Sequence, residues 1–321
     1  MSTRIGSALR KFAVAISLVA NCIAGSYGST SVVCIYDGLR VCLIWPSSGV
    51  AQSEADVISK VIGTSVRPCV TGASVDQIFA SEYKKFIWLN EAFLSGVSIL
   101  WAVRGGYGVD RLMPSIVGAE YSKVHKKIII GYSDTTPLLI HMSQKYGWTA
   151  ISGSCFREVA LGTKSQTSCK ALMDFLKGNT FVLKIDDLTP MNAEARTSKE
   201  LRGRTTGGNV TCIVSTIGTP WCINTNGRIV FLEDTNVEGY RLDRLLVHMR
   251  NAGLFEGVVA VIFGDFGTNE GRILQNFAGQ LKIPVYKSSL FGHGKDNMPF
   301  GYEFNGTITK QGDRYVVSMQ Q

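Results

Sequence analysis

Residues 128–136 read Ile128-Ile129-Ile130-Gly131-Tyr132-Ser133-Asp134-Thr135-Thr136, and Pro137 follows. Consecutive isoleucines predict a short buried strand, because branching at Cβ suits an extended backbone packed on both faces. Gly131 then permits a sharp turn. Thr136 is placed to cap a following helix, and Pro137 suits its first turn, where no backbone donor is needed. Ser133 therefore stands at the tip of a strand-to-helix turn, beside the unsatisfied N–H groups of a helix N-terminus. That geometry suits a nucleophile next to an oxyanion site. The local pattern is Gly-Tyr-Ser-Asp, not the Gly-x-Ser-x-Gly elbow. On these nine residues alone the bland alternative, an α/β turn with an ordinary capping serine, stays open.

Outward from this turn the chain keeps the same rhythm. Residues 41–45 read as a first buried strand ending in the loop Pro46-Ser47-Ser48-Gly49, with a helix expected over 51–62. Residues 98–103 form a second strand and lead into Arg104-Gly105-Gly106-Tyr107-Gly108. The helix over 137–146 is closed by Gly147. Continuous apolar strands alternating with helices indicate a parallel sheet covered on both faces, with functional loops at the carboxyl ends of its strands. Residues 104–108 and 131–134 both occupy such ends.

Residues 157–204 are more polar and weakly periodic, and read as a connection with one helix over 168–177. A second unit spans 205–321. Its clearest strand is 228–233. A helix over 240–251 follows, with Leu242, Leu245, Leu246 and Met249 on one face and Gly253 as its stop. Residues 257–263 and 284–286 read as further strands. The tail over 302–318 alternates and reads as hairpins turning at Asn305-Gly306 and near Gly312-Asp313. The expected class is α/β, with an N-terminal parallel-sheet domain over 38–156 and a C-terminal domain of mixed strands and helices over 205–321.

With 321 residues, 45% hydrophobic and 18% charged, the chain has ample apolar material for folded cores and is not of the disordered class. Arg4, Arg10 and Lys11 precede an apolar stretch over 12–20, and the small residues Ala24, Gly25, Ser26, Gly28 and Ser29 follow. This order predicts a secretory signal over 1–24, and with it export to the periplasm or cell envelope; a cytoplasmic protein with an uncleaved extension is the alternative. The stretch is too short, and too interrupted by Ser17 and Asn21, to span a bilayer. Removing 1–24 takes those three cations from the formal charge of +8 and leaves +5. That excess suits an acidic polymer or an anionic envelope surface. No run of Lys and Arg with interleaved aromatics is present, so nucleic acid is not an expected partner.

Without Cys22 the cysteines are Cys34, Cys42, Cys69, Cys155, Cys169, Cys212 and Cys222, an odd set with no Cys-x-x-Cys pair. A metal cluster, a thioredoxin-like site and a fully paired disulfide framework are all disfavoured. In an exported chain, oxidation of Cys34 with Cys42 stays open. No His-Glu-x-x-His is present, and neither metal nor cofactor is expected.

Serine chemistry needs a base within hydrogen-bond reach, and the base needs a carboxylate to orient it. The histidines are His125, His141, His248 and His293. His125 lies among lysines, and His141 and His248 lie inside expected helices. His293 sits between glycines in Leu290-Phe291-Gly292-His293-Gly294, where a loop can carry an imidazole close to another backbone. By elimination it is the best base. Glu233 and Asp234, at the end of strand 228–233, are the candidate orienting carboxylates. Asp134 is expected to cap its own helix through its side chain, and its backbone N–H follows the candidate nucleophile as an oxyanion donor. The glycine loop over 105–108 could cradle phosphate or aim an N–H at an oxyanion; its spacing is neither Gly-x-Gly-x-x-Gly nor a P-loop.

Taken together these residues resemble a family. Trp45-Pro-Ser-Ser48 comes first, then Arg104-Gly-Gly-Tyr-Gly108 with Arg111-Leu-Met-Pro114, then Gly131-Tyr-Ser-Asp-Thr-Thr136. Thr206-Gly-Gly-Asn-Val210 follows, through Gly218-Thr-Pro220 to Phe231-Leu-Glu-Asp234, and Phe291-Gly-His-Gly294 with Met298-Pro-Phe-Gly301 closes the series. In this order the blocks resemble the LD-carboxypeptidases, serine peptidases that also include the microcin C immunity peptidases. The resemblance implies a flavodoxin-like N-terminal domain, a C-terminal mixed β/α domain and an active site between them. It implies a triad of Ser133 as nucleophile, His293 as base and Glu233 as its orienter, with the N–H groups of Gly106 and Asp134 as oxyanion donors, in a homodimer.

The implied substrate is a murein tetrapeptide, from which the enzyme removes D-alanine attached to an L-centred diamino acid. Such an enzyme must hold a free carboxylate, and Arg104 and Arg241 are the candidates. Two positions depart from the family pattern and bear on specificity. Val109 stands where a small polar residue is frequent, and Ile151-Ser-Gly-Ser154 replaces a His-Gly-Pro block. The alternatives are a microcin-type immunity peptidase acting on an acyl adenylate, a non-catalytic murein-peptide binder, and a nucleotide-binding flavodoxin-like domain.

Overall fold

The computed structural model describes residues 32–63, 75–267 and 270–321, and is organised around two sheets. The expected signal over 1–24, with Cys22, and also Cys69, lie outside the described residues. The first sheet starts with a hairpin, β1 (Val32–Tyr36) and β2 (Leu39–Ile44). Its turn residues Asp37 and Gly38 both have positive φ, 47° and 83°, as the tightest hairpin turns require. There follow α1 (Gln52–Ile62), α2 (Val75–Leu94), β3 (Ile99–Ala102), α3 (Val109–Gly118), β4 (Ile128–Gly131), a single 3-10 turn over Ser133–Thr135, α4 (Thr136–Tyr146) and β5 (Thr149–Ser152). Strands β2 to β5 are parallel neighbours in chain order. The expected parallel sheet is present, with β1 added as an antiparallel edge ahead of residue 38.

Two short helices, α5 (Phe156–Leu161) and α6 (Gln166–Leu176), lead to the second sheet. Its elements are β6 (Val182–Pro190), α7 (Ala193–Thr197), β7 (Glu200–Asn209), α8 (Val210–Ser215), β8 (Arg228–Glu233), α9 (Gly239–Asn251), β9 (Ala260–Asp265), α10 (Gly271–Gln280), β10 (Val285–Gly292), β11 (Phe300–Gly301), β12 (Asn305–Gln311) and β13 (Arg314–Gln320). Its strands other than β11 close into a barrel in the order β10-β6-β13-β12-β7-β8-β9. The run β7-β8-β9-β10 is parallel and the remaining pairs are antiparallel.

Three local expectations change. The polar stretch 157–204 holds more than a linker: β6 is a barrel strand, with Leu183, Ile185 and Leu188 inward and Lys184 and Asp186 outward. Its period-two pattern is diluted by the charged outer face. Asn305-Gly306 opens β12 instead of turning the chain, and the bend falls at Glu303, with φ 60°. The third concerns β11, which pairs antiparallel with β5, so the C-terminal segment completes the first sheet.

Cys34 and Cys42 are both free thiols. Cys34 pairs with Val41 and Cys42 with Val33, so the two side chains leave opposite faces of the hairpin and cannot bond. An aromatic cluster joins the two sheets: Phe300 of β11 stacks on Phe231 of β8 with centroids 4.5 Å apart, and Phe291 and Tyr302 meet Phe300 at 5.9 Å and 5.3 Å.

Candidate active site

Strand β4 delivers Ser133 on a strained turn. Its φ is +60°, a left-handed conformation that non-glycine residues adopt rarely and that concentrates at functional sites. The first hydrogen bond of the turn runs from Thr135 N–H to Tyr132 O (3.3 Å), so the Asp134 N–H lies ahead of it in the chain. Thr136 does not cap this helix as expected. It is the first residue of α4, and its Oγ1 accepts from Asn209 N–H (3.1 Å) at the end of β7. Asp134 caps a different helix from the one expected: its Oδ2 accepts from Val109 N–H (3.1 Å), at the start of α3.

The glycine loop passes directly over the serine. A Cβ on Gly105 would lie 3.1 Å from Ser133 Cβ. Gly106 has φ +114°, and a Cβ there would come within 2.4 Å of Ser48 Oγ. That hydroxyl accepts from Tyr107 N–H (3.1 Å), and Arg104 Nη1 donates to Gly49 O (2.9 Å). The role of the loop 46–49 is thus to hold the glycine loop against the serine turn.

From the second sheet, β10 ends at Gly292 and presents His293. Gly292 has φ +116° and packs against the backbone of Asp265, where a Cβ would be crowded at 3.1 Å. His293 Nε2 lies 3.1 Å from Ser133 Oγ, and its Nδ1 lies 2.5 Å from Glu233 Oε2 at the end of β8. A tautomer protonated on Nδ1 donates to Glu233 and leaves Nε2 to accept from the serine hydroxyl. Residues 133, 233 and 293 therefore form one continuous chain of hydrogen bonds between the two sheets.

The choice between the adjacent carboxylates is decided by their partners. Asp234 accepts from Asn209 Nδ2 (2.9 Å), Thr211 N–H (2.9 Å), Thr211 Oγ1 (2.7 Å) and Thr235 N–H (2.8 Å), and so holds β7, α8 and β8 together. Glu233 is 2% exposed and faces the imidazole. Burial disfavours a charged imidazole, but the charge and hydrogen bond of Glu233 outweigh it, so the His293 pKa is raised above its ordinary value. The other histidines are elsewhere. His125 and His248 are exposed, and His141 is buried inside α4, where burial pushes its pKa down to about 4.

Ser133 and His293 open onto a cavity of 360 Å³ that Arg104, Gly105, Gly106, Thr235 and Asn236 also line. Arg241 is not at this cavity. It lies exposed on the first turn of α9, paired with Glu238 at 3.1 Å, because helix phase turns Leu242 inward and its predecessor out. The sequence reading of Arg241 as a carboxylate ligand is corrected accordingly. Val103, Tyr132, Cys155, Arg157 and Glu158 complete the lining, and none of them was singled out for the site from the sequence. Arg157 is ion-paired with Glu54 of α1. The Tyr132 hydroxyl donates to Glu158 Oε1 (2.5 Å), and burial together with the Glu158 charge raises its pKa far above the phenol range. The one available signal was position: residues 155–158 directly follow the block where the sequence departs from the family pattern. No group of three His, Cys, Asp or Glu suited to hold a metal occurs among the described residues.

The chain matches the LD-carboxypeptidase N-terminal domain over residues 41–153 and the LD-carboxypeptidase C-terminal domain over 202–308. It is 37% identical over 280 residues to a protein of Rickettsia conorii provisionally named a carboxypeptidase, covering 85% of this chain and 88% of that one. It is 23% identical to the murein tetrapeptide carboxypeptidase of Pseudomonas aeruginosa, over 86% of this chain and 94% of that one. Among solved structures, the muramoyltetrapeptide carboxypeptidase of Oxalobacter formigenes aligns with a TM-score of 0.73 at 22% identity, over 88% of this chain and 98% of that one. The microcin C7 self-immunity protein MccF aligns with a TM-score of 0.71 at 16% identity, over 91% and 98%. At such identities the structural likeness speaks for the fold.

Proposed function

The chain belongs to the LD-carboxypeptidase family, and from that premise we propose that it is a serine carboxypeptidase releasing the terminal D-alanine of murein tetrapeptides from an L-centred diamino acid. The observation that carries this reading is the hydrogen-bonded chain from Ser133 Oγ through His293 to Glu233. Ser133 Oγ attacks the scissile carbonyl as its proton passes to His293 Nε2. Glu233 holds the ring in the required tautomer and stabilises the imidazolium. The N–H groups of Gly106 and Asp134 receive the oxyanion, each contributing about 3–4 kcal/mol in comparable sites. His293 then returns the proton to the leaving amine of D-alanine as the C–N bond breaks. Water, activated by the same imidazole, releases the acyl group and restores the serine.

A carboxypeptidase must also bind a free carboxylate. Arg104 is the favoured ligand, since it lines the cavity while the Arg157 guanidinium is already held by Glu54. The murein substrate, more than an adenylate, is supported by the near full-length match to the Pseudomonas relative. The lining of the cavity bears on the same choice. Among its described lining residues, Tyr132 has its ring against the His293 imidazole at 4.9 Å, with Lys164 at 5.3 Å from its centroid, so it is not open to stack a base. The test is mass spectrometry of products from murein tri-, tetra- and pentapeptides and from an aminoacyl adenylate analogue. D-alanine release from the tetrapeptide by the wild-type protein, absent from Ser133→Ala at unchanged melting temperature, is the expected result. Turnover of the adenylate analogue alone would replace the substrate, and full activity of Ser133→Ala would remove the nucleophile.

A further inference from the structure

Lys164 lies in the turn between α5 and α6, in the polar stretch that the sequence reads as a connection, and no role was expected of it. It is 8% exposed. A buried ammonium is costly unless its donors are satisfied. Here they are satisfied by one short piece of backbone: Nζ donates to Gly294 O at 2.7 Å and His293 O at 3.1 Å, with Gly292 O at 3.5 Å. These carbonyls belong to the loop that carries the candidate base. On its other side, Nζ lies 3.6 Å from Glu158 Oε1, the oxygen that accepts the Tyr132 hydroxyl. Tyr132 is the residue before Ser133, and its ring packs on the His293 imidazole.

We infer that Lys164 is a positioning residue: together with Glu158 and Tyr132 it forms a strut that sets the distance between the His293 loop and the Ser133 turn. The inference rests on the serine-peptidase reading of the site. Lys164 is not among the residues lining the cavity, so it acts through the backbone it holds. The neighbouring segment is fixed to the same loop. Ser165 N–H donates to Lys295 O (2.9 Å), Asn297 N–H donates to Ser168 Oγ (2.9 Å), and Asn297 Oδ1 accepts from Gly292 N–H (3.2 Å). These secondary bonds keep the loop folded if the ammonium is removed. The ammonium supplies the final placement, to which proton transfer over 3.1 Å is sensitive.

The test compares wild type, Lys164→Met, Lys164→Arg and Ser133→Ala. Melting temperature, kcat, KM and the rate of Ser133 labelling by a fluorophosphonate are measured for each. For Lys164→Met, kcat and labelling should fall roughly 10- to 100-fold with KM within about twofold, because misplacement of the base affects the reacting geometry more than ground-state binding. Lys164→Arg should recover most of the loss. Wild-type labelling that Ser133→Ala abolishes, together with undiminished kcat and labelling in Lys164→Met, would overturn the strut and leave the nucleophile standing. Absence of labelling in the wild type would count against the serine reading itself. If Lys164→Met does not fold, Glu158→Gln decides, since it removes the charge facing Nζ from the far side. Unchanged labelling in that variant overturns the strut, and a loss at constant KM upholds it.

Discussion

In the proposed mechanism the chemistry turns on Ser133 and His293, and their environment makes pH a direct probe. His293 must be neutral to accept a proton. Because Glu233 raises its pKa above the ordinary imidazole value of about 6.5, kcat/KM should fall on the acid side through a pKa higher than that value. Glu233→Gln should lower kcat by about 10⁴-fold, as loss of an orienting carboxylate does in other triads. It should also move the acid limb to lower pH; a limb that stays in place would show that another group sets it. The sign for stability is opposite in direction. A folded-state pKa above the unfolded one stabilises the protein fully below the unfolded pKa, and that contribution fades as pH rises through the folded value. Melting temperature of the wild type should therefore lose more between pH 6 and pH 8 than that of Glu233→Gln, after each is referenced to its own value at pH 5. At this scale the residue types were legible, since a serine on a turn and a histidine between glycines are visible as letters. Glu233 against Asp234 was not settled by composition, because both are buried carboxylates one position apart. Only the donors around Asp234 assign it to the scaffold.

Elements place those residues through close contacts that glycine alone allows. Gly106→Ala would force a Cβ to 2.4 Å from Ser48 Oγ at a φ of +114°. The loop must then shift, and kcat should drop by about 10²- to 10³-fold if the Gly106 N–H serves the oxyanion, with a smaller change in KM. An unchanged kcat would assign that N–H to structure alone. Asn209 caps α8 through Cys212 N–H, bonds Asp234, and through its own N–H meets Thr136 at the start of α4. Asn209→Ala should cost about 1–2 kcal/mol for the lost cap and side-chain bond, read by urea denaturation. The strands and helices around β4 were readable because continuous apolar runs and helix stops are local signals. Strand β6 was harder to read, because its outward positions carry Lys184 and Asp186 and its partners β10 and β13 lie far away in sequence.

For the whole molecule, chain segments that cross between the two sheets predict that they unfold as one cooperative unit. Strand β11 returns from the barrel side to pair with β5, and Phe300 stacks on Phe231 across the junction. Phe300→Ala should destabilise the protein by about 3–5 kcal/mol, the usual cost of emptying a buried aromatic site. It should also split the single calorimetric transition expected of the wild type into two; one broadened transition would show that other contacts suffice to couple the sheets. The cleft holding Ser133, Glu233 and His293 depends on that coupling, since the serine belongs to one sheet and its partners to the other. What the sequence by itself determined was the local part: the β4–α4 turn, the glycine loop, the candidate reacting side chains and, through ordered blocks, the family. These rest on backbone preferences and spacing within a few residues. The tertiary structure alone decided that Arg241 faces solvent, that Lys164 binds the His293 loop, and that a serine and a histidine 160 positions apart stand 3.1 Å from each other. Such distances are set by packing and strand register between segments remote in the chain, and no local preference of the polypeptide encodes them.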